Sequence, residues 1–117
     1  QIHTLLKPDG ALLIAVPNYT SQDAEHYGAF WAAYDVPRHL YHFSPAAMEQ
    51  LLKQHQLKIV KKHPMVFDAF YVSLLSEKCK TGRTRMVAGG WNGFRSYRKG
   101  LKETDRCSSI VYECRLM

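Results

Sequence analysis

Several absences narrow what these 117 residues can be. No apolar run approaches the roughly 20 residues needed to cross a bilayer, and no charged-then-apolar leader is written in them, so neither a membrane partner nor export is expected. Cysteine is scarce: Cys79, Cys107 and Cys114 are odd in number and have no metal-type spacing. That argues against a disulfide framework and for free thiols in a reducing cytoplasm. No G-x-S-x-G occurs, which removes the nucleophile elbow of the serine hydrolases. The one glycine-rich stretch, Gly89-Gly90-Trp91-Asn92-Gly93, follows a basic loop rather than a strand and lacks the spacing of a phosphate cradle. It reads as a flexible entry to a helix. Internal repeats and low-complexity tracts are also missing.

What is present bounds the chain to one small domain at most. It begins with Gln1 rather than methionine, and Ile2, Leu5 and Leu6 read as the last turn of a helix already under way, so a piece of a longer protein is expected. The net charge of +6 is uneven: residues 1–60 carry four Lys/Arg against five Asp/Glu, residues 61–117 twelve against five. Such an excess marks either an anionic partner or a solvated face.

The chain is organised around the segment from Leu5 to Asn18. Lys7-Pro8-Asp9-Gly10 has the chemistry of a type I turn, with proline presetting φ at its second position. Ala11 to Val16 then runs without a polar break, predicting a strand buried on both faces in a helix-covered parallel sheet, ended by Pro17. Ser21 is placed to cap a short helix with Asp23 and Glu25 in its first turn. Tyr27, Phe30, Trp31 and Tyr34 form an aromatic cluster that either roofs a pocket or seals a core edge. After the connector Asp35-Val36-Pro37-Arg38-His39-Leu40-Tyr41-His42-Phe43, Ser44-Pro45 signals a capped helix reaching about His55, with Met48, Leu51 and Leu52 inward.

Leu57 to Lys62 is the next strand, closed by Pro64. Phe67, Phe70, Tyr71, Leu74 and Leu75 follow helical spacing and predict an amphipathic helix to about Lys80 with that face inward. Thr81 to Gly90 reads as a loop. A second helix is expected over Trp91 to Lys102, with Trp91, Phe94 and Leu101 inward and Arg95, Arg98, Lys99 and Lys102 largely outward. Ser108 to Leu116 closes the chain as a strand presenting Ile110, Tyr112, Cys114 and Leu116 on one face.

Leu5-Leu6-Lys7-Pro8-Asp9-Gly10 followed by a buried strand ending in Val16-Pro17-Asn18 resembles the fifth-strand region of class I S-adenosylmethionine-dependent methyltransferases, with Asp9 where glycine is usual. The segment from Trp31 to Pro45 is similar to the Asp-x-Pro-x-His…Phe-Ser stretch of one subgroup. The resemblance implies an α/β fold: the carboxyl-terminal portion of a Rossmann-like sheet, laid out as buried strand, helix, strand, helical excursion and antiparallel last strand. It implies methyl transfer from S-adenosylmethionine, with the cofactor held mainly by a glycine-rich turn and a ribose-binding acid that these residues do not contain. The chain alone is therefore expected to be inactive, and its first strand to offer an unpaired edge for self-association.

The site expected from this reading centres on His39 as the catalytic base, because an imidazole takes protons near neutral pH and the connector lies near the acceptor pocket in the resembling subgroup. Asn18, Tyr19, Trp31, Tyr34, Asp35, Arg38 and His42 are the candidates for acceptor binding. The bland alternative for His39 is a backbone hydrogen bond in a loop, and for Trp31 and Tyr34 core packing. Asp35, His39 and His42 would need a helix through Pro37 to share a metal, so no metal site is expected. The acceptor is left open. A small basic module binding nucleic acid or another polyanion through Arg95, Arg98 and Lys99, with Trp91, Phe94 and Tyr97 interleaved, is the alternative reading.

Overall fold

The Pro8-Asp9 turn delivers the chain into its first strand much as its residues dictate: the Gly10 amide donates to the Lys7 carbonyl at 2.9 Å. A computed structural model describes residues 1–117. Its elements are α1 (Ile2–Leu5), β1 (Leu12–Pro17), α2 (Gln22–Tyr27), α3 (Pro45–Gln54), β2 (Leu57–Pro64), α4 (Asp68–Thr81), α5 (Met86–Lys102) and β3 (Ser109–Leu116). Two 3-10 turns, Gly28–Phe30 and Ala32–Tyr34, follow α2, and a third, Thr104–Arg106, precedes β3.

The three strands form one sheet in the order β1-β3-β2, with β3 antiparallel to both neighbours. β1 and β2 therefore run in the same direction but never touch, and the last strand is inserted between them. β1 is an edge strand whose other side has no partner.

One face of the sheet holds the main core. Leu12, Ile14 and Val16 of β1 and Ile110, Tyr112 and Cys114 of β3 pack there with Leu57, under Met48 and Leu52 of α3. α3 sits where Ser44 and Pro45 start it: the Ser44 hydroxyl accepts the Ala47 N–H at 3.1 Å, and proline takes the first helical position. The helix ends without glycine because Gln56 itself adopts φ +57°.

The opposite sheet face is open. β1 alternates, with Leu13 64% exposed and Ala15 also exposed, so it is not the doubly buried strand that its unbroken apolar run suggests. The reason is that α3 covers one face only, and an antiparallel sheet tolerates water on the other.

The larger departure lies in the helical pair. α5 starts at Met86, so the end of the stretch expected to be a loop, with Gly89 and Gly90, is already helix. Its buried residues are Gly89, Gly93, Ser96 and Gly100, while Trp91, Phe94 and Leu101 are exposed. In α4 the buried residues are Ala69, Val72, Ser73, Ser76 and Glu77, and Phe67 and Tyr71 face outward. α5 thus turns the face expected to be inward toward solvent, while the expected face of α4 is split: Phe67 and Tyr71 face outward, and Phe70 and Leu74 meet Gly93 and Gly89 of α5. Small side chains at the seam let the two backbones approach closely: a Cβ on Gly93 would lie 2.9 Å from the Phe70 Cα, and one on Gly89 3.1 Å from the Leu74 Cα. Larger residues there would force the helices apart.

The pair is tied to the rest of the chain by buried polar groups. Asp23 is 2% exposed and accepts from Trp31 Nε1 at 2.8 Å, Ser108 Oγ at 2.7 Å and Ser96 Oγ at 3.1 Å. One carboxylate so joins α2, the aromatic turn, α5 and the approach to β3. Tyr27 Oη donates to Glu77 Oε1 at 3.2 Å and accepts from Asn92 Nδ2 at 3.2 Å, joining α2, α4 and α5. Burial pushes the Tyr27 phenol up to about 12.

Candidate functional site

The carboxyl end of β1 is fixed by Asn18. Its amide donates to the Asp105 and Cys107 carbonyls at 2.8 and 3.0 Å, its Oδ1 accepts from Thr20 N and Oγ1 at 3.0 and 2.6 Å, and its own N–H donates to the Ser108 carbonyl at 2.8 Å. Every polar atom of the side chain is engaged and the residue is buried, so Asn18 builds the frame rather than meeting a substrate. A parallel bridge between Asn18 and Phe43 brings the far end of the connector back beside the strand.

The aromatic cluster is also frame. Trp31 is 2% exposed with its indole N–H on Asp23. Tyr34 stands edge-on to Trp31 on one side and to His42 on the other, with ring centroids 5.1 Å apart in both cases. His42 Nε2 lies 2.8 Å from the Tyr34 carbonyl oxygen, so this imidazole is spent on holding the turn. Tyr19 is exposed and lies outside the cavity described next.

Three of the expected residues do converge. Asp35, Arg38 and His39 line a cavity of about 340 Å³ together with Pro17, Ala32, Ala33, Asp68, Tyr71, Val72 and Leu75. Pro17 is the last residue of β1, so the cavity opens just beyond the carboxyl end of that strand, where ligand crevices form in open α/β sheets. The local backbone explains the grouping. The second 3-10 turn ends on Asp35 in the left-handed region, φ 41° and ψ 47°, a conformation aspartate tolerates better than most residues. The reversed chain then returns the His39 N–H to the Asp35 carbonyl at 3.0 Å.

His39 Nδ1 lies 3.3 Å from the Ala33 carbonyl oxygen. A carbonyl can only accept, so this contact calls for the proton on Nδ1 and leaves Nε2 with a free lone pair. Arg38 Nη1 is 3.3 Å from Asp35 Oδ2, an exposed pair that adds little stability. Across the cavity, Asp68 accepts a hydrogen bond from Ser109 Oγ, which anchors the start of α4 to the start of β3. Asp68, Tyr71 and Leu75 were not legible as site residues: they lie some thirty positions from the connector, on the helix face expected to be inward.

The arrangement suits removal of a proton from a bound nucleophile, with one imidazole nitrogen free, a carboxylate and guanidinium beside it, and apolar walls from Pro17, Tyr71 and Leu75. It does not fit S-adenosylmethionine as the held group. The glycines that might have cradled it are packed in α5 against Leu74 and Phe70, and the first turn of α2 is closed by the Ser21 hydroxyl, which accepts the Ala24 N–H at 3.2 Å. Asp35, His39 and His42 do not share a metal either, His42 being turned onto Tyr34. The buried thiols of Cys107 and Cys114 are pushed above the ordinary cysteine range by desolvation, which leaves them unreactive.

No curated protein and no solved structure gives a significant match. Residues 1–62, which carry β1, the connector, α3 and most of β2, match the family described as "Methyltransferase domain". With more than half of the chain matched, and with the two stretches that carry the resemblance inside the match, the chain belongs to the methyltransferase domain family, of the class I S-adenosylmethionine-dependent type.

Proposed function

We propose that this chain is the acceptor-side, carboxyl-terminal half of a methyltransferase domain, and that its cavity positions the nucleophile that receives the methyl group. The observation that carries the reading is the convergence of Asp35, Arg38 and His39 beyond the carboxyl end of β1. In this proposal His39 Nε2 takes the proton that an oxygen, nitrogen or carbon acceptor loses as it attacks. Asp35 and Arg38 orient the acceptor, and Pro17, Tyr71 and Leu75 offer it an apolar side. Positioning supplies most of the rate in a displacement of this kind. S-adenosylmethionine, the donor implied by the family, is assigned to residues outside this chain, because those present do not fit it. The free edge of β1 is where the rest of the sheet would pair; left unpaired, it is a site of self-association.

The test begins with the coding DNA upstream of the Gln1 codon. The expected result is a continuous frame encoding an apolar strand, a glycine-rich turn and an acidic residue after a second strand. The whole protein is then assayed for transfer of labelled methyl from S-adenosylmethionine to mixed small-molecule and macromolecular acceptors. His39→Gln is expected to lower kcat by roughly 10²-fold or more with donor affinity unchanged, and the 117-residue chain alone is expected to be inactive. An unrelated upstream sequence, enzyme-like activity of the isolated chain, or a His39→Gln enzyme with unchanged kcat would overturn the reading.

A further inference from the structure

The outer face of α5 combines apolar and basic side chains in a way the methyl-transfer reading does not use. With Gly89, Gly93, Ser96 and Gly100 turned inward, the 3.6-residue period puts Val87, Trp91, Phe94 and Leu101 on the opposite arc. They are 88%, 63%, 42% and 56% exposed. Met86, 72% exposed, extends the apolar surface at the helix start. Arg95 and Lys102 border this arc on one side, Arg98 rises from within it over the Phe94 ring, and all three are exposed.

No Asp or Glu occurs from Lys78 to Lys102, a stretch that also holds Lys80, Arg83, Arg85 and Lys99. The acids nearest in sequence already have partners: Glu77 is buried on Tyr27, and Glu103 pairs with Lys99 at 3.5 Å. The helical pair also contributes to an elongated outline: the radius of gyration is 15.4 Å, against about 13 Å for a compact chain of this size.

We infer that the outer face of α5 docks on an anionic lipid surface. The chemistry is that of a helix lying in the membrane interface, with an apolar arc reaching into the acyl boundary and basic side chains meeting headgroup phosphates. Trp91 is suited to the headgroup level, where its ring is solvated at one end only. Charge complementarity selects an anionic surface over a neutral one. The aliphatic side chains select lipid over nucleic acid: Val87, Leu101 and Met86 offer a base or a phosphate nothing. The sequence expectation of no membrane partner rests on the lack of a bilayer-length apolar run, which does not bear on a helix lying in the interface, and Trp91, Phe94 and Leu101, expected inward, face outward. The inference stands independently of the acceptor cavity, since no α5 residue lines it.

The experiment is flotation of the 117-residue chain with vesicles of phosphatidylglycerol and phosphatidylcholine in equal parts, and with phosphatidylcholine alone. The chain is expected to float with the mixed vesicles and several-fold less with the neutral ones. Tryptophan emission should shift to the blue on binding, and Trp91→Phe should abolish the shift, because Trp31 is already buried. Each exposed cation near such a surface is worth about fivefold, so Arg95→Gln with Lys102→Gln should weaken partitioning on the order of 25-fold. Circular dichroism confirms that this variant is folded; Val87→Ser with Leu101→Ser gives a second, uncharged test and should also weaken it.

Five outcomes would overturn the inference. Three are no flotation, equal flotation with neutral vesicles, and wild-type partitioning of either variant. The fourth is a Trp91 already shielded in the lipid-free chain as its size grows with concentration, which would assign the face to a second copy. Binding of a single-stranded oligonucleotide without vesicle binding would assign it to nucleic acid and overturn it as well.

Discussion

In α3 the large apolar residues Met48 and Leu52 point at the sheet, and Glu49 and Lys53 point at water. In α5 the inward residues are Gly89, Gly93, Ser96 and Gly100, and Trp91 and Leu101 point at water. The two helices are both amphipathic, yet they are anchored by different forces. α3 is held by burial of apolar area, worth about 1.5–3 kcal/mol for each large side chain. α5 gains little from its own side chains at the seam. It is held by close backbone approach to α4 and by the acceptors Asp23 and Glu77, which receive hydrogen bonds from Ser96 and Asn92. An amphipathic pattern therefore gives a helix its period without saying which face is inward.

The largest effect should come from breaking the link between the two regions. Asp23→Ala leaves the Trp31 indole and the Ser96 and Ser108 hydroxyls without their acceptor in a buried site. We expect a loss of about 3–5 kcal/mol, read by urea unfolding; a loss below 1 kcal/mol would mean that the carboxylate is not the shared anchor.

Alkaline titration probes the same region differently. The folded Tyr27 phenol titrates near 12, above its ordinary 10.0, because burial disfavours the phenolate. Its contribution is intact below pH 10 and is lost as pH rises toward 12, on the order of 2 kcal/mol. Burial pushes Tyr112 in the same direction. The melting temperature should fall across that window, and by less in Tyr27→Phe.

A pair of glycine substitutions sharpens the contrast within α5. Gly93→Ala forces a methyl to 2.9 Å from the Phe70 backbone and should cost about 1–2 kcal/mol. Gly90→Ala meets nothing within 4 Å and should gain about 0.5–1 kcal/mol from helix propensity alone. Equal effects at the two positions would contradict the seam. In the other region, Ser44→Ala removes the α3 cap and should cost about 1 kcal/mol.

The legibility of the chain follows the same division. The turn before β1, the caps of α2 and α3, Pro64 at the end of β2 and the alternating face of β3 were written in local chemistry: proline geometry, hydroxyl caps and a two-residue period. The orientation of α5 was not, because Trp91, Phe94 and Leu101 match the helical period as well as the true seam does, and of the face expected to be inward in α4 only Phe70 and Leu74 meet α5. The 4-3-4 spacing of Gly89, Gly93, Ser96 and Gly100 was the available signal, and it carries no hydrophobicity. At the site, Asp35, Arg38 and His39 were legible because a short connector holds all three. Asn18, Trp31, Tyr34 and His42 had residue types suited to binding but are used as internal fastenings, and only the tertiary structure shows which partners they take.

The orientation of α5 is tested most directly by acrylamide quenching of the dilute, lipid-free chain beside Trp91→Phe. The intact chain should show two emission components, one shielded and blue-shifted from Trp31, the other water-like and readily quenched. Trp91→Phe should lose only the quenchable one. If the intact chain shows no quenchable tryptophan, Trp91 is buried, and the packing of α5 through its small residues is wrong.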